Sequence, residues 1–470
     1  MDRMSKRSPW VKSVTLPIAR STNYNSKRMP RRSRLLEATA TVVVLALVWF
    51  LLVAPRKGSI KLESATAERS KPVTNATEAL DLLPCSQLRG AKDTVVVLQT
   101  SAAELEQRLP IHFETTLRCY PNRLIFSDWN ETYQGHPILD AIANIDFKRK
   151  QFHPDLDLWR RLRDGGPDVL EDEEMWNAEQ TTAKLDKWKY LLMINQTLYE
   201  YPEKKWFVFL QTDTFIFWNN LLTMLRAYDS KKAWFLGAQV EGSELADLKA
   251  GFVLSHAAMQ ALMKMFRADY ESWQQRADYH PSGASILGTA LAEAGVQLSN
   301  AWPLLQSSSL GSLDWSESRH ERKLWCYPAV SYGKVDTETI REMWKFQHGW
   351  IKDEASSQTL LYSDLFENYM MPRLSVRSGR VDDCDNFSGD LDTGVVAKAI
   401  DDCRQLCLDR TNCVQFSFAN GKCALSDVPK MGEYKAGVHS RWLLARTENW
   451  ARSASLGSDC PTQDFASWMT

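Results

Sequence analysis

Apolar runs of strand length recur along this chain, and each ends in a short polar cluster. They are Thr94-Val95-Val96-Val97-Leu98, the segment RLIFSD at 123–128, and Trp206-Phe207-Val208-Phe209-Leu210 inside KKWFVFLQTDTFIFWNNL, residues 204–221. The runs do not alternate with polar residues, which predicts strands covered on both faces, as in parallel sheets. From Lys184 to Tyr201 the residues Leu185, Trp188, Leu191, Leu192 and Ile194 recur at helical spacing, and the third strand follows directly. Helix then strand is the alternation of an α/β protein. Further strands are predicted at Ala233-Trp234-Phe235-Leu236 and over 250–255, where Gly251 permits close backbone approach, and a helix from His256. No internal repeat is present, and no P-loop, GxGxxG, HExxH or GxSxG pattern.

The third run carries the first hint of chemistry, because it stops at Gln211-Thr212-Asp213-Thr214. Ligands of open α/β sheets collect beyond the carboxyl ends of the strands, so Asp213 is placed to meet a nucleotide phosphate or its metal. The competing reading is that Asp213 caps a helix beginning at Thr214.

Charge divides the chain of 470 residues unevenly. Residues 1–34 hold ten Lys or Arg and one acid, leaving 47 basic and 57 acidic residues for the rest. A mildly acidic body argues against a nucleic-acid groove. Between Ala38 and Ala54 the chain is uncharged and rich in Val and Leu, long enough to span a bilayer, with the heavier basic load on its N-terminal side. This predicts a cytosolic tail over 1–34, a single type II transmembrane helix over 35–55, and a polar stem over 56–85 that holds a lumenal body; a cleaved signal peptide is the alternative. Four Asn-x-Ser/Thr triplets, at Asn75, Asn130, Asn195 and Asn386, agree with a lumenal glycoprotein. So do nine cysteines, six of them from Cys384 onward. The acidic stretch 164–176 reads as a surface loop.

Taken in order, KLDKWKYLLM, KKWFVFLQTDTFIFWNNL, AGFVLSHAAM, ILGTALAEAGVQLSNAWPLLQ, WCYPAVSYGKV and DTETIREMWKF resemble the fungal members of glycosyltransferase family 31, relatives of the fringe and core-1 galactosyltransferase enzymes. The resemblance implies a GT-A nucleotide-sugar-binding fold with a mixed, mostly parallel sheet over 86–380. It also implies a Golgi enzyme that transfers galactose or N-acetylglucosamine from a UDP-sugar to a glycan or glycoprotein acceptor, β-1,3 and with inversion. Thr212, Asp213, Thr214 and Gly251 are then the donor-binding candidates, and Asp213 the metal ligand for Mn or Mg. Such chemistry needs the departing diphosphate neutralised and a proton removed from the attacking hydroxyl.

This chain departs from its relatives in both roles. Gln211 replaces the first acid of the metal pair, and Gly333 and Lys334 stand where many relatives carry a metal-binding His. Ala284 takes the position of the acid that serves as base. Two hypotheses follow. In one, Lys334 offsets diphosphate charge and His280 acts as base; in the other, the protein is a catalytically silent, lectin-like binder. A surface lysine and a loop histidine are the plain readings of Lys334 and His280.

From about Asp383 the composition changes, and CDNFSG followed by DDCRQLCLDRTNCVQFSFANGKCALSD resembles a PAN/apple domain over 381–470, a small disulfide-rich α+β module that binds proteins or carbohydrates. The resemblance implies Cys403–Cys423, Cys407–Cys413 and Cys384–Cys460. Cys326 is left to pair with Cys85 or Cys119. A zinc site is the alternative use of these cysteines, without the paired CxxC knuckles that favour it.

Overall fold

The apolar runs become the interior of one large mixed sheet. The computed structural model describes residues 83–170, 178–319, 321–351, 359–385, 394–456 and 460. Its first strands are β1 (Thr94–Gln99), β2 (Arg123–Ser127), β3 (Glu131–Tyr133), β4 (His136–Asp140), β5 (Trp206–Gln211), β6 (Phe215–Ile216), β7 (Phe235–Gly237), β8 (Phe252–Ser255) and β9 (Leu298–Asn300). Eight of them form a sheet in the order β3-β4-β2-β1-β5-β8-β7-β9. β1 is parallel to β2 and β5, β2 to β4, and β7 to β9, while β8 runs antiparallel to both its neighbours.

Successive residues of a strand face opposite sides, and here both sides are covered. Val96, Leu98, Val208 and Leu210 enter one core with the helices Leu105–Glu114 and Trp218–Arg226, whereas Val95, Val97, Phe207 and Phe209 enter the other with the helices Ala178–Glu200 and His256–Ala268. That is why the sequence shows continuous runs instead of alternation. Across the reversed pair, Phe209 sits opposite Phe252 with the rings stacked at 4.8 Å.

Asp213 does not cap a helix. The chain beyond it stays extended as β6, because β12 (Ser331–Tyr332) pairs with it antiparallel, and the next helix begins only at Trp218 behind Phe217. Before β12 comes a two-stranded ribbon, β10 (Ser318–Arg319) with β11 (Arg322–Lys323).

The second sheet is wholly antiparallel. It comprises β13 (Arg380–Asp385), β14 (Val395–Val396), β15 (Gln415–Ala419), β16 (Lys422–Ser426) and β17 (Glu433–Trp442), in the order β13-β17-β15-β16-β14. The helix Ile400–Asp409 is tied to it by Cys403–Cys423, and Cys407 bonds Cys413.

Two expectations are corrected here. Cys384 does not bond Cys460. It lies buried on β13 with its thiol directed to the Met431 carbonyl, while Cys460 bonds Cys326 and Cys85 bonds Cys119. The cause is the helix Leu444–Leu456, which leads the chain away from the small sheet and packs Trp450 on Trp325 at 5.4 Å, next to Cys326. The second correction concerns the membrane. Among the described residues no helix is long and apolar enough to cross one, so the single transmembrane helix is not supported as part of the fold. The helix Ala178–Glu200 has the length, at 23 residues, but carries Lys184, Asp186, Lys187 and Lys189. The segments 1–34 and 35–55, and the stem as far as residue 82, lie outside the described residues.

Candidate functional site

The chain leaves β1 toward β2 on one side and later returns to β5 on the other, so a crevice opens where the carboxyl ends of β1 and β5 stand together. The two strands end at one level, with Gln99 paired to Gln211, and the Thr212 amide donates to the Gln99 carbonyl at 3.1 Å. Beyond them lies a cavity of about 650 Å³ lined by Gln99, Thr100, Ser101, Glu104, Arg108, Asp186, Lys189, Gln211, Thr212, Asp213 and Lys249, among others. Asp213 therefore faces a cleft.

Its surroundings set its charge. Burial raises the Asp213 carboxyl above the usual range, and Arg108, Lys249 and Lys334 pull it back down. Its Oδ1 is buried and finds no hydrogen-bond partner among the described residues, an unsatisfied acceptor of the kind that marks functional sites. Glu104 is raised in the same way: burial first, then the Asp213 and Asp128 charges, with Arg108 opposing at 3.5 Å.

The cavity floor is a buried ion cluster. Lys189 is fully buried and lies 2.5 Å from Asp128 and 3.0 Å from Asp186, and Gln99 Nε2 donates to the same Asp186 oxygen at 3.0 Å. Burial alone would push the Lys189 pKa down, but the two carboxylates hold it up, so the ammonium stays charged. Behind the site, His112 is buried on the helix Leu105–Glu114 with Nε2 at 2.9 Å from the Thr212 carbonyl and Nδ1 at 2.8 Å from Thr116 Oγ1. A carbonyl only accepts, so Nε2 carries the proton and Nδ1 accepts from the hydroxyl. Burial lowers the His112 pKa to about 4, and the ring is neutral.

The other sequence candidates divide. Thr212 lines the cavity, whereas the Thr214 hydroxyl is buried and donates to the Lys249 carbonyl at 3.1 Å. Gly251 has φ +74°, and a Cβ there would lie 2.7 Å from Leu210, so its role is the close approach of the Lys249 turn to β5. Lys334, with φ +52°, is exposed beside the site; the next amide, Val335, donates to the Asp213 carbonyl at 2.9 Å. His280 is not among the residues that line the cavity: its Nδ1 lies 2.9 Å from Ser285 Oγ, and the charges that act on it are Arg276, Glu293 and Lys187.

A divalent cation does not fit the residues present. Gln211 turns its amide toward the Tyr190 hydroxyl at 3.3 Å, Asp186 is engaged by Lys189, and Glu104 faces Arg108. A side chain at Gly333 is barred, since a Cβ would come within 2.4 Å of the Lys249 carbonyl. One carboxylate oxygen among three cations is a poor cage for a hard ion. The one group of three metal-ligating side chains among the described residues, Cys85, Cys119 and His348, is spent by the disulfide between the two cysteines.

Sequence reasoning missed Glu104, Arg108, His112, Lys189 and Lys249. Of these only Lys189 left a signal, as the partner of Asp186 three residues before it on a helix that also carries the apolar Leu185, Trp188, Leu191 and Leu192. Comparison with protein-family models and with curated proteins finds no match.

Proposed function

We propose that this protein is a hexosyltransferase that takes galactose or N-acetylglucosamine from a UDP-sugar and places it on a glycan hydroxyl, β-1,3 and with inversion, in the Golgi lumen. The observation that carries the reading is the cavity at the joint carboxyl ends of β1 and β5, with Asp213 on its wall. A crevice at such a reversal of strand order is where open α/β sheets hold nucleotides. Four disulfides are in keeping with an oxidising lumen.

The resemblance points to a base at position 284, which here is alanine. Glu104 is the cavity carboxylate suited to that role, because its raised pKa brings it nearer the working pH and makes it a stronger base than an exposed acid. Ala284 also favours a second reading, a binder that has lost turnover.

Full-length protein incubated with UDP-galactose or UDP-N-acetylglucosamine and simple glycosides separates the two. The expected outcome is glycoside elongation that falls about 10²–10⁴-fold in Glu104→Gln with little change in KM. Donor binding without turnover supports the binder, and neither binding nor turnover removes the proposal.

A further inference from the structure

We infer that the donor diphosphate is held by side-chain cations, Arg108 and Lys249 with Lys334 at the rim, in place of a divalent ion. The inference rests on the nucleotide-sugar reading of the cavity and assigns its phosphate subsite.

Three observations meet here. Arg108 and Lys249 line the same cavity as Asp213, and together with Lys334 they are the cations whose charge acts on that carboxylate. Lys249 and Lys334 are exposed residues whose ammonium groups make no hydrogen bond or ion pair among the described residues, so neither is committed to a structural contact. The backbone brings them together: Gly333 lies against the Lys249 carbonyl so closely that no other residue fits, and the Val335 amide fastens that turn to Asp213. The residue that excludes a ligating side chain at 333 is thus the one that lets two lysines share a rim.

A diphosphate leaving group gathers negative charge as the glycosidic bond to it breaks. Lysine ammonium groups and an arginine fork can stabilise that charge as a metal ion would. Asp213 then has no ion to hold.

Calorimetric titration of the full-length protein with UDP and with uridine, each in EDTA and then in manganese, tests this. UDP is expected to bind in EDTA with an affinity that manganese changes by less than about threefold. Arg108→Gln and Lys249→Gln should each weaken UDP by about tenfold or more and leave uridine unaffected, and Lys249→Arg should retain most of the affinity. UDP affinity should also fall as salt rises. Because both side chains reach solvent, unchanged thermal melts are expected to show that these variants fold. UDP binding that vanishes in EDTA and returns with manganese overturns the inference and leaves the nucleotide-sugar reading standing, as does binding indifferent to both Gln substitutions. No binding of UDP under either condition overturns that reading too.

Discussion

His112 shows how a single buried side chain can fix the site without touching it. Its neutral ring joins the helix Leu105–Glu114 to the Thr212 carbonyl, and so sets where the backbone leaves β5 just before Asp213. The same burial makes it a source of acid sensitivity. Because its pKa falls from 6.5 to about 4 on folding, the unfolded chain takes up a proton between those values that the folded one refuses. Stability is therefore complete above about pH 6.5 and declines as pH falls toward 4, by roughly 3 kcal/mol at most for this group. The raised carboxyls of Glu104 and Asp213 act in the opposite sense, since protonation in the folded state is easier for them. Subtracting a His112→Gln variant isolates the histidine. Urea unfolding at about pH 7, 5.5 and 4.5 should show the variant less stable at neutrality and the gap closing on acidification; a gap that stays constant refutes the assignment.

The helix Ala178–Glu200 is bound to the sheet by chemistry as well as by apolar packing. Lys189 reaches from it to Asp128, which directly follows β2, and neither side chain sees solvent. Truncation to Lys189→Ala strands a buried carboxylate and should cost about 3–5 kcal/mol, whereas a Lys189→Met, Asp128→Leu double variant should recover most of the loss. Equal destabilisation of the single and double variants in urea melts would contradict this. The pair also marks the limit of what the sequence reveals. β1, β2, β5 and the helix were legible because two-sided burial writes itself as runs of Val, Phe and Leu and as a period of three to four residues. Asp213 was legible for the same reason, being the polar stop of such a run. Arg108, Lys249 and Glu104 lie on a helix or in turns where charged residues are ordinary, and they matter only because β1, β5 and the turn before β8 converge. The short pairing of β6 with β12 joins segments more than a hundred residues apart, so no local pattern could announce that Asp213 precedes a strand and not a helix.

At the scale of the whole molecule, the two sheets are joined by a shared core, since Cys384, Trp442 and Ala451 pack in one cluster with residues of the large sheet. The described residues, from Leu83 to Cys460, all fall in one compact unit. The strap that closes it is the helix Leu444–Leu456, with Trp450 against Trp325 and Phe366, Trp325 Nε1 donating to Ser455 Oγ at 3.2 Å, and Cys460 bonded to Cys326 across a separation of 134 residues. A bond closing so long a loop restricts the unfolded chain strongly, and its removal should cost about 2–4 kcal/mol. The change Cys460→Ser should therefore lower the unfolding midpoint of both sheets together, as expected of one cooperative body. If the small sheet instead melted alone, by the fluorescence of Trp442 against that of the remaining tryptophans, the shared core would not be coupling them. Non-reducing peptide mapping supplies the independent check: a Cys326–Cys460 peptide is expected, and a Cys384–Cys460 peptide would mean that the C-terminal helix does not return to the larger sheet. Since the candidate cavity lies on that larger sheet, loss of the strap should weaken stability while leaving the UDP affinity we propose for the β1 and β5 ends unchanged.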